Sequence, residues 1–412
     1  MTAERARFET DVWGIWGLWP KTPARWSYSS LKAVEACPSQ WMLSRADYPD
    51  VWDRNGYPAL PVVSAFFGNV VHGVVERLGR ELGAAGVTSA TTSDVVGILG
   101  SLGGWRVIVL DAIERELARL GGNPRVGAER VDRLRAELIR RASEAADRVK
   151  VFLGRGVFPS VSEIASVAAA DPSAVDRAVP RLPVRTGAYA ELEVVAESLR
   201  LTGRIDLLVI DEAEVSIVDL KTGAENDDHG DQVRLYALLW YLDAQVNPGQ
   251  RMATDLHVAY QASEQAVKAP DPEDLRFLEE ATVARVQDAD QVTKQPPPKA
   301  NPTEENCRYC SVRHLCDAYW STLPPAVTAV STEEWFDFEG RILRQNGTKS
   351  WFAQSLVEPS AEVLVRTVET DVAFQVGRRV RLLGVRRSQD PDNPDRLVIS
   401  MVSTSEWYPL TS

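Results

Sequence analysis

LTGRIDLLVI (Leu201–Ile210) and VSIVDLK (Val215–Lys221) are two apolar runs of strand length, separated only by Asp211–Glu214. Side chains alternate along a strand, so Asp219 and Lys221 share a face. A hairpin centred between Glu212 and Ala213 then sets Asp206 directly across from Asp219. Ile205, Leu207, Leu208, Val209, Ile217, Val218 and Leu220 predict that both strands are buried. Carboxylates facing each other in a buried ladder repel unless positive charge lies between them, and a divalent cation is the usual remedy. The stretch therefore points to a metal-dependent hydrolase. A D-x-K triplet alone is also common at hairpin ends, and it is the apolar setting that separates the two readings.

Working outward, 412 residues are too many for one ordinary core, and two or three domains are expected. No apolar run approaches the ~20 residues that span a bilayer, and the opening MTAERARFET has no secretory-signal pattern. The expectation is a cytoplasmic protein without a membrane partner. A net charge of −12 argues against a general nucleic-acid coat, although a local basic track suffices for an enzyme that cuts one strand at a groove.

The four cysteines fall at Cys37 and, after the Pro-rich segment Gln295–Pro302, at Cys307, Cys310 and Cys316. In an intracellular chain such a set suggests metal ligation before disulfides. A C-x-x-C pair, a third thiol six residues after its second member and a distal fourth can surround one centre. On spacing alone a zinc ion and an iron–sulfur cluster are equal candidates, with buried free thiols as the plain alternative.

With these residues in place, the chain resembles the RecB-type branch of the PD-(D/E)xK nucleases, in particular its iron–sulfur members such as AddB-like nuclease domains and CRISPR adaptation exonucleases. The resemblance rests on order: Cys37; Gly68-Asn69-Val70-Val71-His72 with Glu76; Gly203-Arg204-Ile205-Asp206; Asp219-Leu220-Lys221; Gln232 with Tyr236; then Cys307, Cys310 and Cys316. It covers roughly residues 25–78 and 185–320.

The resemblance implies that His72, Asp206 and Asp219 hold Mg²⁺ or Mn²⁺, and that Lys221 holds the attacking water. Gln232 and Tyr236, four apart on the following helix, would help position the site and DNA, an ordinary amphipathic face being the alternative for Tyr236. Cys37, Cys307, Cys310 and Cys316 would bind a 4Fe-4S cluster, with Zn²⁺ as the alternative. Glu76, one turn after His72, either orients that imidazole or faces solvent. A second metal would need shared carboxylates or Glu193, so the metal count stays open. The implied reaction is phosphodiester hydrolysis leaving 5′-phosphates.

The fold class expected is α/β: a restriction-endonuclease-like mixed sheet flanked by helices with a helical insertion, followed by a small all-β OB-like barrel. Residues 1–27 form a Trp-rich arm carrying Trp13, Trp16, Trp19 and Trp26. Residues 28–325 form the nuclease domain, with an insertion at 79–157 within a helical stretch 74–157. Val107–Leu110 with Ile113, and Leu134 with Leu138 and Ile139, mark apolar helix faces there. Arg133, Arg140, Arg141 and Arg148 either line a DNA path or belong to a solvated surface interspersed with acids. Residues 158–185 lead into a strand at Ala188–Val195, with Glu191 and Glu193 on one face. A strand at Ala253–Tyr260 and a helix at Pro272–Gln287 complete the core.

Residues 327–412 form the barrel, from strands Trp335–Leu343, Trp351–Leu356, Ala361–Val368, Val376–Val385 and Leu397–Val402, with Asn346-Gly347 as a hairpin signal. Trp351, Phe352, Arg379 and Arg381 are its candidate nucleic-acid contacts; a protein-docking barrel is the alternative. No G-x-x-x-x-G-K-[ST] is present, so unwinding energy would come from a helicase or other partner. The expected function is an exonuclease acting on single-stranded DNA ends, in repair, recombination or defence. The alternatives are a non-catalytic nucleic-acid-binding subunit and a zinc-stapled protein of other function.

Overall fold

The computed structural model describes residues 7–9, 16–85, 93–154, 181–223, 225, 226, 228–260, 263–370 and 372–410. Trp13 and most of the stretch 158–185 lie outside them. The chain divides into two compact units: residues 1–22, 32–59 and 289–412, and residues 23–31 and 60–288. No single helix among the described residues is long and apolar enough to cross a membrane.

In chain order, β1 (Arg7–Glu9) and β2 (Trp16–Leu18) form a small antiparallel pair, followed by helices α1 (Tyr28–Ala36) and α2 (Pro38–Arg45). Cys37 caps α2: its backbone is extended, and its thiol accepts the Gln40 N–H.

From residue 60 the second unit continues with α3 (Val63–Ala84). Phe67, Val70, Val71, Val74, Val75, Leu78 and Leu82 recur at three- and four-residue spacing and are all buried. Helices α4 (Ser93–Ser101), α5 (Gly104–Ala118), α6 (Ala128–Arg140) and α7 (Ala142–Leu153) follow. Ile108, Val109, Ile113, Leu134, Leu138 and Phe152 join α3 in one core, which also takes in Leu207, Val218 and Leu220 from the sheet. Ile139 and Val107, expected in those apolar faces, point outward.

That sheet has the order β3 (Gly187–Ala196), β4 (Leu201–Ile210), β5 (Val215–Leu220), β6 (Asp255–Ala259), β7 (Glu264–Val267). β3–β4–β5 run antiparallel, β5 and β6 run parallel across the crossover helix α8 (Asp228–Leu242), and β7 returns antiparallel. The sheet is thus mixed and flanked by helices, as the sequence predicted; β7 was not foreseen. Leu207 pairs with Val218 and Ile210 with Val215, so one more step of the same register sets Asp206 against Asp219. A Cβ on Gly203 would come within 2.8 Å of Tyr236 and Leu239, so this glycine admits α8 close against β4.

The helix α9 (Pro272–Thr293) and short α10 (Glu304–Arg308) and α11 (Asp317–Thr322) lead to β8 (Trp335–Gly347), β9 (Ser350–Ser355), β10 (Glu362–Arg366), β11 (Arg379–Ser388), β12 (Leu397–Ser400) and β13 (Glu406–Pro409). The order β12-β10-β9-β8-β11 closes through a β11–β12 pairing, giving a five-stranded barrel, with β13 added beside β11. The β8–β9 hairpin forms, but its turn is Thr348-Lys349; Gly347 already pairs with Ser350 because β8 carries two register shifts. β13 was not anticipated.

Candidate active site

Five elements of the second unit bring polar side chains together in an apolar setting. His72 stands on α3, off its buried stripe, and its Nδ1 lies 2.8 Å from Glu191 Oε1 and 3.6 Å from Asp206 Oδ1. The ligand atoms of His72, Glu191 and Asp206 all lie within 4.8 Å of one another, the only such group among the described residues. Asp206 is 8% and Asp219 1% exposed. The Leu220 N–H donates to Asp206 Oδ2 at 2.6 Å, so the neighbouring strand fixes that carboxylate.

Next to this cluster runs a hydrogen-bonded chain. Lys221 Nζ lies 2.7 Å from Asp219 Oδ2 and donates to Gln232 Oε1 at 2.9 Å. Gln232 Nε2 donates to the Tyr236 hydroxyl at 2.7 Å. All six residues expected at the centre are therefore gathered, in two linked sets: His72 and Asp206 with Glu191, and Asp219 and Lys221 with Gln232 and Tyr236.

Electrostatics follow from crowding negative charge where water is scarce. Burial opposes the charge on His72, but Asp206, Glu191 and Asp219 outweigh it and raise its pKa to about 9. Burial, and then Asp206, pushes Asp219 up to about 6 against the pull of Lys221. Burial likewise raises Asp206. Such a set favours a bound divalent cation, with one imidazole nitrogen and carboxylate oxygens as its ligands.

Glu191 is the residue sequence reasoning did not place. It sits in the interior of β3 with φ 55°, a left-handed conformation unusual for a strand, and the β3–β4 pairing skips it between Ala190↔Leu207 and Leu192↔Ile205. Counting register from a hairpin centred between Ser198 and Leu199 sets it opposite Asp206, which would have found it. Glu193, offered for a second metal, lies along the ladder opposite Arg204 and is exposed. Glu76 does not orient His72: it pairs with Arg80 at 2.9 Å on the solvent side, and Glu191 takes that place.

Arg133 and Arg140 pair within their helix, with Glu129 and Glu137, whereas Arg141, between α6 and α7, pairs with Glu144 and lies over the Phe67 ring at 3.7 Å. For the first two, the surface is charge-balanced. This is the solvated-surface alternative. Arg148 differs; it is buried, holds Glu144, and donates to the Thr222 carbonyl at 3.0 Å, bracing the chain just after Lys221.

Within the first unit, Cys37, Cys307, Cys310 and Cys316 line one cavity and form no disulfides. Cys37 Sγ accepts N–H groups from Gln40 at 3.5 Å and Asn301 at 3.4 Å. Burial raises Cys310 to about 12, so ligation there must displace a proton. Their sulfurs do not form a group within 4.8 Å. Four thiols around one cavity are a donor set that either a zinc ion or an iron–sulfur cluster can use.

The barrel candidates need correction. Trp351 lies in the barrel core, edge-on to Phe374, because its strand position points inward. Arg381 is 3% exposed and binds Asp317, Glu339 and the His314 carbonyl. Neither presents a surface to a base. Phe352 is covered by the Arg344 guanidinium at 4.0 Å, and Arg379 pairs with Glu339 at 3.0 Å.

A family model described as the PD-(D/E)XK nuclease superfamily matches residues 25–317. No curated protein matches the chain. Among solved structures it is similar to the tetrameric p202 HIN2 (16% identity, covering 20% of this chain and 45% of that one, TM-score 0.17) and to SSO0001 (18%, 32% and 61%, 0.21). It is also similar to the p204 HINb domain (10% identity, 56% and 94%, TM-score 0.20). The chain spans less than two thirds of the first two, and likenesses at these TM-scores carry no argument about it.

Proposed function

The chain belongs to the PD-(D/E)XK nuclease superfamily, and from that premise we propose that it is a Mg²⁺- or Mn²⁺-dependent deoxyribonuclease that degrades single-stranded DNA from an end. The observation that carries this reading is the pairing of two sets of side chains: a His72–Glu191–Asp206 ligand group beside an Asp219–Lys221–Gln232–Tyr236 chain. A binding protein has no use for a half-buried lysine held beside buried carboxylates.

His72, Glu191 and Asp206, with Asp219 at their edge, would hold the cation. When bound, it acidifies water and neutralises charge on the phosphoryl group. The chain's own residues do the rest. Asp219 and Gln232 fix the Lys221 ammonium so that its remaining hydrogen points at the water that attacks phosphorus. That contact orients the water and favours its hydroxide form. Tyr236, bound through Gln232, keeps the amide from rotating. The apolar strands around the pocket keep the local dielectric low, which strengthens each of these contacts.

The cavity shared by Cys37, Cys307, Cys310 and Cys316 supports a group held by all four thiols, a 4Fe-4S cluster with Zn²⁺ as the alternative. Roles in repair, recombination or defence, with a helicase as partner, suit an enzyme that has no ATPase motif of its own.

The test is cleavage of end-labelled linear and circular single-stranded DNA with Mg²⁺, Mn²⁺ or EDTA, comparing wild type with Lys221→Ala. Metal-dependent loss of the linear strand only, abolished by the substitution, is expected. Cleavage of the circle would refute end dependence, and an uncut strand in every lane would refute the nuclease.

A further inference from the structure

His229 was not among the residues expected at the centre, yet two separate geometric relations bring it to Lys221. It occupies the first turn of α8, where His229, Gln232 and Tyr236, spaced three and seven residues apart, share one helix face; Gln232 is the residue that holds Lys221. Its ring is also tied to Tyr260, which directly follows β6, and Tyr260 lines the same small cavity as Lys221 and Arg148. The Lys221 N–H donates to the Ala259 carbonyl, so Tyr260 is one residue from that backbone link.

The hydrogen bonds around Tyr260 suit one tautomer of the His229 ring. The Asn226 backbone N–H donates to the Tyr260 hydroxyl oxygen at 3.4 Å, and that oxygen lies 2.8 Å from His229 Nδ1. A phenol accepting one N–H still has its own hydrogen to give, and Nδ1 is the acceptor within reach. The single proton of the neutral ring is then on Nε2. Burial, and then the Lys221 charge, lowers the pKa of His229, in favour of the neutral ring.

Resting on the nuclease reading, we propose that His229, set by Tyr260, is a phosphate-binding residue of this site: its Nε2–H donates to a non-bridging oxygen of the substrate strand's phosphodiester beside Lys221. A neutral donor suits this position, since a second cation there would compete with Lys221 for Asp219. His229 holds the strand and does not transfer a proton, so its loss weakens binding and leaves the chemical step nearly intact.

The experiment compares wild type, His229→Ala, His229→Gln and Tyr260→Phe. Steady-state cleavage of a single-stranded oligonucleotide is measured with Mg²⁺, and binding of the fluorescent oligonucleotide with Ca²⁺ in its place. Loss of one phosphate hydrogen bond should raise KM and Kd roughly 5- to 20-fold in His229→Ala, with kcat within about threefold of wild type. His229→Gln, whose amide N–H can stand near Nε2–H, should recover most of the loss; Tyr260→Phe should lose part of it. Unchanged KM and Kd in His229→Ala would overturn the proposal, as would a fall in kcat at constant KM. If His229→Ala is unfolded by thermal melt, the Gln and Phe variants decide on the same criteria. If wild type binds the oligonucleotide but never cuts it, the nuclease reading fails while the Kd comparison still judges His229. If wild type neither binds nor cuts, both fall.

Discussion

His72 Nδ1 lies 2.8 Å from Glu191 Oε1, and Glu191 holds that position with a φ of 55° inside a β-strand. A non-glycine residue in this conformation costs on the order of 1–3 kcal/mol, and the cost persists at a place where a carboxylate faces the pocket. Function and backbone ease are opposed there.

Glu191→Gly should separate the two. Glycine adopts the left-handed conformation freely, and removing one carboxylate relieves repulsion on Asp206. The variant should cleave DNA at least ~100-fold more slowly, yet unfold in urea without metal at the wild-type midpoint or above it, by up to about 1 kcal/mol. A markedly less stable variant would show that the bond to His72 outweighs the strain.

Metal affinity should climb with pH. His72 is raised to about 9, above its unfolded value of about 6.5, so its contribution to the stability of the metal-free protein is complete below pH 6.5 and is lost as pH rises through 9. Asp219 is raised to about 6, above its unfolded value, so its contribution also declines as pH rises from about 4 to 6. Metal-free protein should therefore melt at falling temperature as pH rises through these windows. A cation must displace the His72 proton, so its affinity should increase by up to ~10-fold per pH unit between about 6.5 and 9. Titration calorimetry at several pH values, counting protons released, checks this; a flat affinity would remove His72 from the ligand set.

Cys37→Ser should remove the group that the four thiols hold. The wild-type protein, purified without air, should carry about four irons per chain and absorb visible light. The variant should lose the colour and melt at lower temperature, because cluster binding is partly folding energy. One zinc and no iron in the wild type would favour the alternative ligand.

Arg381→Ala should act on folding and leave DNA binding alone. The buried guanidinium joins Asp317, Glu339 and the His314 carbonyl, and truncation leaves these groups short of a partner. A loss of roughly 3 kcal/mol in urea unfolding is expected, with oligonucleotide affinity unchanged in the folded fraction. Weakened binding at full stability would restore Arg381 to the nucleic-acid surface.

The reach and the limit of sequence reading show at particular residues. The same count of two residues per repeat set Asp206 against Asp219 and, had it been applied to the preceding hairpin, sets Glu191 against Asp206. Glu76 was weighed as a partner of His72 because four residues make one helical turn, but helix spacing cannot tell which neighbour an imidazole meets from another element. Trp351 and Phe352 are adjacent aromatics in one strand. Alternation says that they face opposite ways, and only the closure of the barrel decides which side is the core.

The sequence by itself determined the local order: strand and helix periods, the register of the β4–β5 hairpin, the mixed sheet followed by a barrel, and the identity of most side chains at the centre. These follow from short-range geometry, which spacing encodes. Tertiary structure decided the partners. Glu191 reaches His72 across 119 residues, Cys37 meets Asn301 across 264, and Tyr260 sets the ring of His229 from another element. Such pairings depend on how apolar faces pack and on which polar groups are left buried together, and that sum over the whole chain is not written in any one stretch of it.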